Sequence, residues 1–376
     1  MKFSKAPQNP WSIQITCTYG CNRSCEFCGI HSIDKDGKYF IHIPVELVKS
    51  LAIQLNQSWK GRRIELNTNG DPSLHPRIFD IVSTINTYYP SGQIQLQTNG
   101  LKWKSNMHKY LNEFYKAGGD ILVIDSYDGM YKEFNKLCKS YAKLKSNIKY
   151  VDYNHNNPDN FSYWKNYGRK VKALVLTDDL DNASDIQPKN RCITNHAGAV
   201  NPEYMKKMYK ECGKDYLKSF PIVKPCTRVY REIVVNVFGG IQVCCYNWVN
   251  NFIYGNIYKN HIYDIWNSRV WNLVRQLMKN KDRSGFRPCN TCDYSGGYRI
   301  GLCRDTVLKK FVKENRSEVL DELKSHMKKY KKGIHWTDYA EVNGCKIKSG
   351  MVKPTSKNSE AKVLSKETVN SKYINK

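Results

Sequence analysis

The sequence predicts an α/β protein: an open, partial (βα)6 TIM-like barrel followed by a smaller module of β-hairpin and helix. Three observations predict it. Short apolar runs bounded by turn residues alternate with stretches of helical periodicity, the pattern of parallel strands joined by crossover helices. The alternation repeats about six times and stops near residue 178, short of the eight repeats that close a barrel. Past Pro225 a second composition begins, with a hairpin-like IVVNVFGGIQVCC and a concentration of cysteines.

Taken in order, the strands are WSIQIT (11–16), RIELN (63–67), QIQLQ (93–97), DILVID (120–125), NIKYVDY (147–153) and KALVL (172–176). Between them VELVKSLAIQLNQ, PRIFDIVSTINTYY, MHKYLNEFYKAG and YKEFNKLCKSYAKL place apolar residues at three- and four-residue spacing, so each winds into a helix with one face for the sheet. Residues 178–225 read as irregular and polar. Val307, Leu308, Phe311, Val312, Val319, Leu320, Leu323 and Met327 share one helical face, and a Lys-, Ser- and Asn-rich tail expected to stay unstructured follows. The chain divides into a barrel (1–205), a cysteine module (206–303), a C-terminal helix (304–332) and a basic tail (333–376). In parallel barrels the chemistry sits on loops after the strands, so those loops are where reactive residues are sought.

At 376 residues the chain is long enough for one large core and a smaller module. No run approaches the roughly 18 apolar residues of a membrane span. The opening MKFSKAPQNPW lacks the apolar stretch of a secretory signal, so a soluble, cytoplasmic protein without a membrane partner is expected. The net charge is +26; the segment from Arg304 onward holds 18 Lys and Arg against 9 Asp and Glu, leaving +17 over the first 303 residues. That excess is spread rather than gathered into a stripe with aromatics, which favours a solvated basic surface over a nucleic-acid partner. Fourteen cysteines in a long chain without a secretory signal point to metal or redox chemistry rather than disulfides. Cys17, Cys21, Cys25 and Cys28 crowd one end; Cys226, Cys244, Cys245, Cys289, Cys292 and Cys303 crowd another. Cys138, Cys192, Cys212 and Cys345 stand alone and read as buried thiols.

After the first strand comes CNRSCEFC, with three residues between Cys21 and Cys25 and two between Cys25 and Cys28. Thiolates are soft ligands that suit iron-sulfur clusters or zinc. Three compact cysteines leave the fourth iron of a 4Fe-4S cluster without a protein ligand, and Cys17 belongs to the preceding strand. The motif, with Phe27 ahead of its last cysteine, resembles the signature of the radical S-adenosylmethionine (SAM) superfamily. The resemblance implies a 4Fe-4S cluster on Cys21, Cys25 and Cys28 whose open iron is chelated by SAM. It also implies reductive cleavage of SAM to methionine and a 5'-deoxyadenosyl radical, with a reductase, flavodoxin or ferredoxin as electron donor. After the second strand, NTNGDPSLHP is similar to the family's Gly-Gly-Glu-Pro segment, with Asn69, Gly70, Asp71 and Pro72 in its places. Asn69 replaces a glycine there, and Asp71 is shorter than the usual acid. After the third strand Asn99 falls in a Thr-Asn-Gly turn, and after the fourth come Ser126 and Asp128. The resemblance implies that these residues, with Phe27, surround SAM. Singly each tripeptide is an ordinary turn; their succession at strand ends carries the reading.

In the second cluster twelve residues separate Cys226 from Gly239, four separate Gly239 from Cys244, 44 follow before Cys289, and two before Cys292. Paired thiolates also suit a zinc ribbon, and Cys245 beside Cys244 leaves the ligand choice open. The Gly-x4-Cys hairpin, Gly-Asn-Ile at 255–257 and Ile-Trp-Asn-Ser resemble the SPASM and twitch extensions of radical SAM enzymes. Only Cys303 follows the Cys289–Cys292 pair, so the resemblance implies a twitch-type module with one auxiliary 4Fe-4S cluster on Cys226, Cys244, Cys289 and Cys292. Four protein ligands make such a cluster an electron carrier. The expected activity is an oxidoreductase that dehydrogenates a small hydroxylated metabolite, as in aminocyclitol-oxidising relatives of the family. Maturation of a ribosomal peptide is the alternative within the family, and a zinc-bearing nucleic-acid-binding protein the alternative outside it. NRCITNHAGA (190–199) offers Arg191 to orient substrate, Asn195, and His196 as general base.

Overall fold

The structure is a computed structural model that describes residues 9–30, 40–127, 129–153, 170–177, 195–211, 213, 215–216, 220–248, 252–294 and 306–332, with short pieces between 340 and 363. The sheet strands are β1 (Ser12–Ile15), β2 (Thr18–Tyr19), β3 (Phe40–His42), β4 (Arg63–Leu66), β5 (Gln93–Thr98), β6 (Ile121–Asp125), β7 (Lys149–Tyr153), β8 (Ala173–Thr177), β9 (Glu232–Val235), β10 (Gly240–Gln242) and β11 (Ile253–Asn256). Nine of them form one sheet in the order β11-β10-β9-β1-β4-β5-β6-β8-β7. The strands from β9 through β7 run parallel. The α/β class and the six expected parallel strands stand.

The last two strands exchange places relative to chain order. β8 lies between β6 and β7 because all five residues of ALVLT are buried and its neighbours cover both edges. β7, with exposed Lys149 and half-buried Tyr150 and Asp152, takes the rim. At the opposite end β9 pairs in parallel with β1, Ser12 opposite Glu232 and Ile15 opposite Val235. The hairpin of the cysteine module thus extends the barrel sheet directly. Its turn is held by Asn236, whose Oδ1 accepts the N–H groups of Phe238 at 3.1 Å and Gly240 at 2.8 Å.

The helices are α1 (Val45–Ser58), α2 (Ile78–Tyr88), α3 (Met107–Lys116), α4 (Tyr131–Leu144), α5 (Pro202–Glu211), α6 (Ile262–Trp266), α7 (Arg269–Lys279), α8 (Thr306–Glu314) and α9 (Arg316–Lys332). The first four bury the predicted stripes, such as Val48, Leu51 and Leu55 of α1, against Ile13, Ile64, Leu96, Leu122 and Leu174. Helix α5 falls in the segment read as irregular. PEYMKKMYKE buries only Met205, so it carries no apolar stripe to read. The expected single C-terminal helix breaks at Asn315, whose Nδ2 turns back onto the Phe311 carbonyl at 2.9 Å. The described pieces of the basic tail are short strands, Asn358–Glu360 pairing in parallel with β3. Composition had suggested an unstructured tail, and composition is blind to main-chain pairing with an open strand edge. Among the described residues no helix is long and apolar enough to cross a membrane.

The two faces of the sheet differ. The helix-covered face is apolar except at the rim strand, where Tyr131 and Asn135 of α4 donate to Asp152. The other face buries Ser12, Gln14, Arg63, Glu65, Gln93 and Gln95 at the β1, β4 and β5 side and a small apolar group, Ile121, Val123, Val151, Ala173 and Val175, at the β6 to β7 side. Alternation in SIQI, RIEL and QIQL therefore separates two buried environments rather than inside from outside.

Candidate active site and second thiol cluster

Beyond β2 the chain reaches Gly20, which bridges to Gly70 of the loop after β4. Gly20 N donates to Asn69 O at 3.2 Å and Asp71 N donates to Gly20 O at 3.0 Å. The approach is close: a Cβ on Gly70 would stand 2.2 Å from Thr18 O and 2.3 Å from Gly20 O. Thr68 and Asn69 hold left-handed φ values of 67° and 51°, conformations that Asn tolerates better than β-branched Thr. The Thr68 hydroxyl is anchored at 3.0 Å from that of Thr16.

The Asp71 carboxylate is buried and points into this junction. Oδ1 accepts Ser73 N at 2.8 Å and the Thr98 hydroxyl at 2.8 Å, and Oδ2 accepts Asn99 N at 2.8 Å. Burial pushes its pKa up, against the pull of those hydrogen bonds. Asp71 thus ties the loop after β4 to the loop after β5, and Pro72 opens the turn that it caps. Asn69 is 1% exposed, and among the described residues neither atom of its side-chain amide has a hydrogen-bond partner.

The cysteine loop folds over these strand ends. Cys28 N donates to Cys25 O at 3.0 Å. Asn99 Nδ2 donates to the Cys21 sulfur at 3.5 Å and to Asn22 Oδ1 at 2.9 Å. Phe27 stacks on Tyr127, the residue after the buried Ser126, at 6.2 Å between centroids. A cleft of about 490 Å3 opens beside Cys25, lined also by Arg23, Phe27, Leu101 and Tyr204, within the usual size range for small-molecule sites. Burial raises the Cys21 thiol to about 11, with the Asp71 charge adding to it, and the Cys28 thiol to about 12. Without metal both stay protonated at neutral pH, and loading a cluster would release those protons. The structure thus brings together Cys21, Cys25, Cys28, Phe27, Asn69, Gly70, Asp71, Pro72, Asn99 and Ser126. Asp128 and Arg191 lie outside the described residues.

At the strand ends runs a polar belt. Asn67 Nδ2 donates to Gln97 Oε1 at 3.5 Å, Gln97 Nε2 to Asp125 Oδ2 at 2.7 Å, and the Thr177 hydroxyl to Asp125 Oδ1 at 2.8 Å. Sequence reading missed it because each member is a lone polar residue on a different strand.

His196 sits between the two cysteine regions. Its Nδ1 accepts the N–H of Gly29, next to Cys28, at 3.2 Å, and its ring stacks on Trp248 at 4.5 Å and on Tyr246 at 5.7 Å. Burial, with Arg228 nearby, lowers its pKa to about 4. A neutral ring that accepts at Nδ1 carries its proton on Nε2 and has no lone pair left for a substrate proton. The geometry gives His196 a positioning place, where the sequence suggested a base. Gly29 is required there, since a Cβ on it would stand 2.8 Å from Ala199 Cβ. Asn195 continues the bridge: its N–H donates to Asp293 Oδ2 at 2.8 Å and its Nδ2 to Thr291 O at 2.6 Å.

Cys226, Cys244, Cys289 and Cys292 line one cavity together with Ala197, Arg228, Arg283, Tyr246 and Tyr294. Cys245 is not among the residues that line it, and its main-chain N–H lies 3.5 Å from Glu232 Oε1. Burial raises the thiols of Cys244 and Cys289 far up and that of Cys292 to about 12. Two buried guanidinium groups border these four thiols. Arg228 pairs with Glu232 at 3.0 Å and stacks on the rings of Tyr246 and Tyr294, whereas Arg283, among the described residues, donates to main-chain carbonyls alone. Thiolates beside buried cations suit an anionic cluster. Among the described residues no three His, Cys, Asp or Glu side chains are placed to hold a single ion. Cys17 and Cys138 are buried in the apolar core as bystanders. Cys192, Cys212 and Cys303 lie outside the described residues.

Comparison with known proteins agrees. The Radical SAM superfamily profile matches residues 15–153, and that of SPASM, an iron-sulfur cluster-binding domain, matches residues 226–293. The crystal structure of BtrN in complex with AdoMet and 2-DOIA aligns with a TM-score of 0.54 at 18% identity, over 79% of this chain and 97% of that one. An open conformation of BtrN aligns at 0.48 and 18% identity, over 76% and 93%. Streptococcus suis SuiB bound to its precursor peptide SuiA aligns at 0.38 and 13% identity, over 71% and 66%. No curated protein sequence matches the chain significantly. At these identities the structural likeness is one of fold. The chain belongs to the radical SAM superfamily and carries a SPASM iron-sulfur domain, so its cofactors are SAM, a SAM-binding 4Fe-4S cluster and auxiliary iron-sulfur.

Proposed function

We propose that this radical SAM enzyme is an oxidoreductase that dehydrogenates a small hydroxylated metabolite. The observation that carries the reading is the convergence of four thiols on one cavity, beside a hairpin that extends the sheet of the SAM site: a fully ligated auxiliary cluster with no iron open to substrate is suited to taking up one electron. Bound together, the cofactors would supply a hydrogen-abstracting 5'-deoxyadenosyl radical and a one-electron acceptor, a net removal of two electrons from a C–H centre.

The protein's own residues would divide the remaining work. Cys21, Cys25 and Cys28 hold three irons and leave one open. Asn99 orients the Cys21 sulfur, and Asp71 fixes the loop that carries Asn99. Phe27 and Ser126 line the SAM side of the cysteine loop. Cys226, Cys244, Cys289 and Cys292 hold the auxiliary cluster, and Cys245, turned to Glu232, is left out. His196 keeps Gly29 and the aromatic pair Tyr246 and Trp248 in register. The belt of Asn67, Gln97, Asp125 and Thr177 offers alternating donors and acceptors at the strand ends, which suits the hydroxyls of a compact polar substrate. Asp125 is its only carboxylate and takes the substrate proton.

The test uses an anaerobic reaction with SAM, dithionite and a panel of cyclitols and aminocyclitols deuterated at their carbinol carbons. Deuterium should appear in 5'-deoxyadenosine together with an equimolar ketone. SAM cleavage that leaves every cyclitol intact while a precursor peptide gains a crosslink would overturn the reading in favour of peptide maturation.

A further inference from the structure

Arg283 is 2% exposed and lies in the wall of the cavity lined by the four thiols. Its Nε donates to Lys224 O at 2.9 Å, one terminal nitrogen to Tyr294 O at 2.7 Å and the other to Pro225 O at 3.1 Å. These bonds give each of its three nitrogens a partner, three of five N–H donors in all, but bring no negative charge. Among the described residues no carboxylate comes within ion-pair distance of it. Asp282, its neighbour in sequence, is spent on Arg316 at 3.0 Å. Asp293 feels the charge of Arg283 but forms no ion pair with it, and its Oδ2 accepts from Asn195 N at 2.8 Å and Tyr209 Oη at 3.3 Å. The other arginine of the wall differs, because Glu232 already neutralises Arg228.

A buried cation without a carboxylate is costly unless an anion shares its site. The thiolates of Cys226, Cys244, Cys289 and Cys292 are the anions that this cavity would supply. We infer that Arg283 is the counter-ion of the auxiliary cluster and that its charge sets the potential at which that cluster takes an electron. The inference rests on the assignment of those four cysteines to the cluster. A fixed positive charge stabilises the reduced cluster, which carries one more negative charge, above the oxidised one. The same side chain also draws together the segments just before Cys226 and just after Cys292. A clamp and a charge therefore have to be separated by experiment.

The full chain with Cys21, Cys25 and Cys28 changed to Ala carries only the auxiliary cluster, about four irons. Its midpoint is read by an EPR-monitored redox titration. Arg283→Gln should lower the reduced-to-oxidised ratio at fixed potential about tenfold or more, which is about 59 mV for a one-electron couple. Arg283→Lys keeps the charge and loses the three-point clamp, so it should keep the iron and stay within about twofold of the parent ratio. An iron-free parent refutes the cluster assignment and the inference with it. With iron present, an unchanged midpoint in Arg283→Gln, or a Lys variant that falls to the Gln midpoint, overturns the inference alone. Should Arg283→Gln lose its iron, the Lys variant decides: iron at the parental midpoint supports the counter-ion, and iron loss refutes it.

Discussion

Changing Gly70 to Ala probes the join between the SAM-side loops and the cysteine loop. The added Cβ would stand 2.2 Å from Thr18 O and 2.3 Å from Gly20 O, and both are main-chain atoms that no rotamer change can move. Restoring ordinary contact requires the two segments to separate by about 1 Å. The bonds that close the junction, Gly20 N to Asn69 O at 3.2 Å and Asp71 N to Gly20 O at 3.0 Å, would then stretch beyond hydrogen-bond range. Two such losses cost about 2–3 kcal/mol. The displaced segment runs directly into Cys21, and ligand distances in metal sites tolerate only about 0.2 Å. Iron in the anaerobically purified variant should fall from about eight per chain to about four, with the auxiliary cluster retained. Formation of 5'-deoxyadenosine should drop at least about tenfold, a barrier change of about 1.4 kcal/mol. Full iron with undiminished 5'-deoxyadenosine would refute the reasoning.

Asp71→Ala strands the Thr98 hydroxyl and the Ser73 and Asn99 N–H groups, so it should cost about 2–4 kcal/mol and lower Tm clearly, whereas Asp71→Asn should lose less. Asp125→Asn should leave SAM cleavage intact while slowing ketone formation at least about tenfold; equal slowing of both would assign Asp125 to SAM. His75 accepts Arg77 N at Nδ1 and lies 2.9 Å from Ile43 O through Nε2, and burial lowers it to about 4. The folded protein therefore binds fewer protons than the unfolded chain below the ordinary histidine value. The stability from this ring is complete above about pH 6.5 and is lost as pH falls toward 4, by about 1.4 kcal/mol per pH unit. Tm measured against pH should fall less steeply over that window in His75→Phe than in the parent.

The strands and the four barrel helices were legible because each rests on a short-range period, such as Val48, Leu51 and Leu55 on α1. The cysteine loop was legible as well, since its three cysteines fall within eight consecutive residues. Other features depended on contacts that no local pattern encodes. Gln14, Glu65 and Gln95 look like outward residues of amphipathic strands, yet they are buried on the second face of the sheet. Asp71 reads as a residue facing SAM, but its carboxylate is turned onto Thr98 and Asn99. His196 reads as a base until Gly29 N–H is seen to occupy its Nδ1. Arg283 belongs to no motif, and only its three carbonyl partners and the nearby thiols single it out.

The two groups of cysteines provide for two iron-sulfur clusters in one chain, one of them outside the SAM site. Iron and acid-labile sulfide per chain test this most directly, measured in the anaerobically purified parent, in the Cys25→Ala variant and in the Cys289→Ala variant. About eight of each are expected in the parent and about four in either variant. Stoichiometric zinc without sulfide, or full iron in Cys289→Ala, would contradict this.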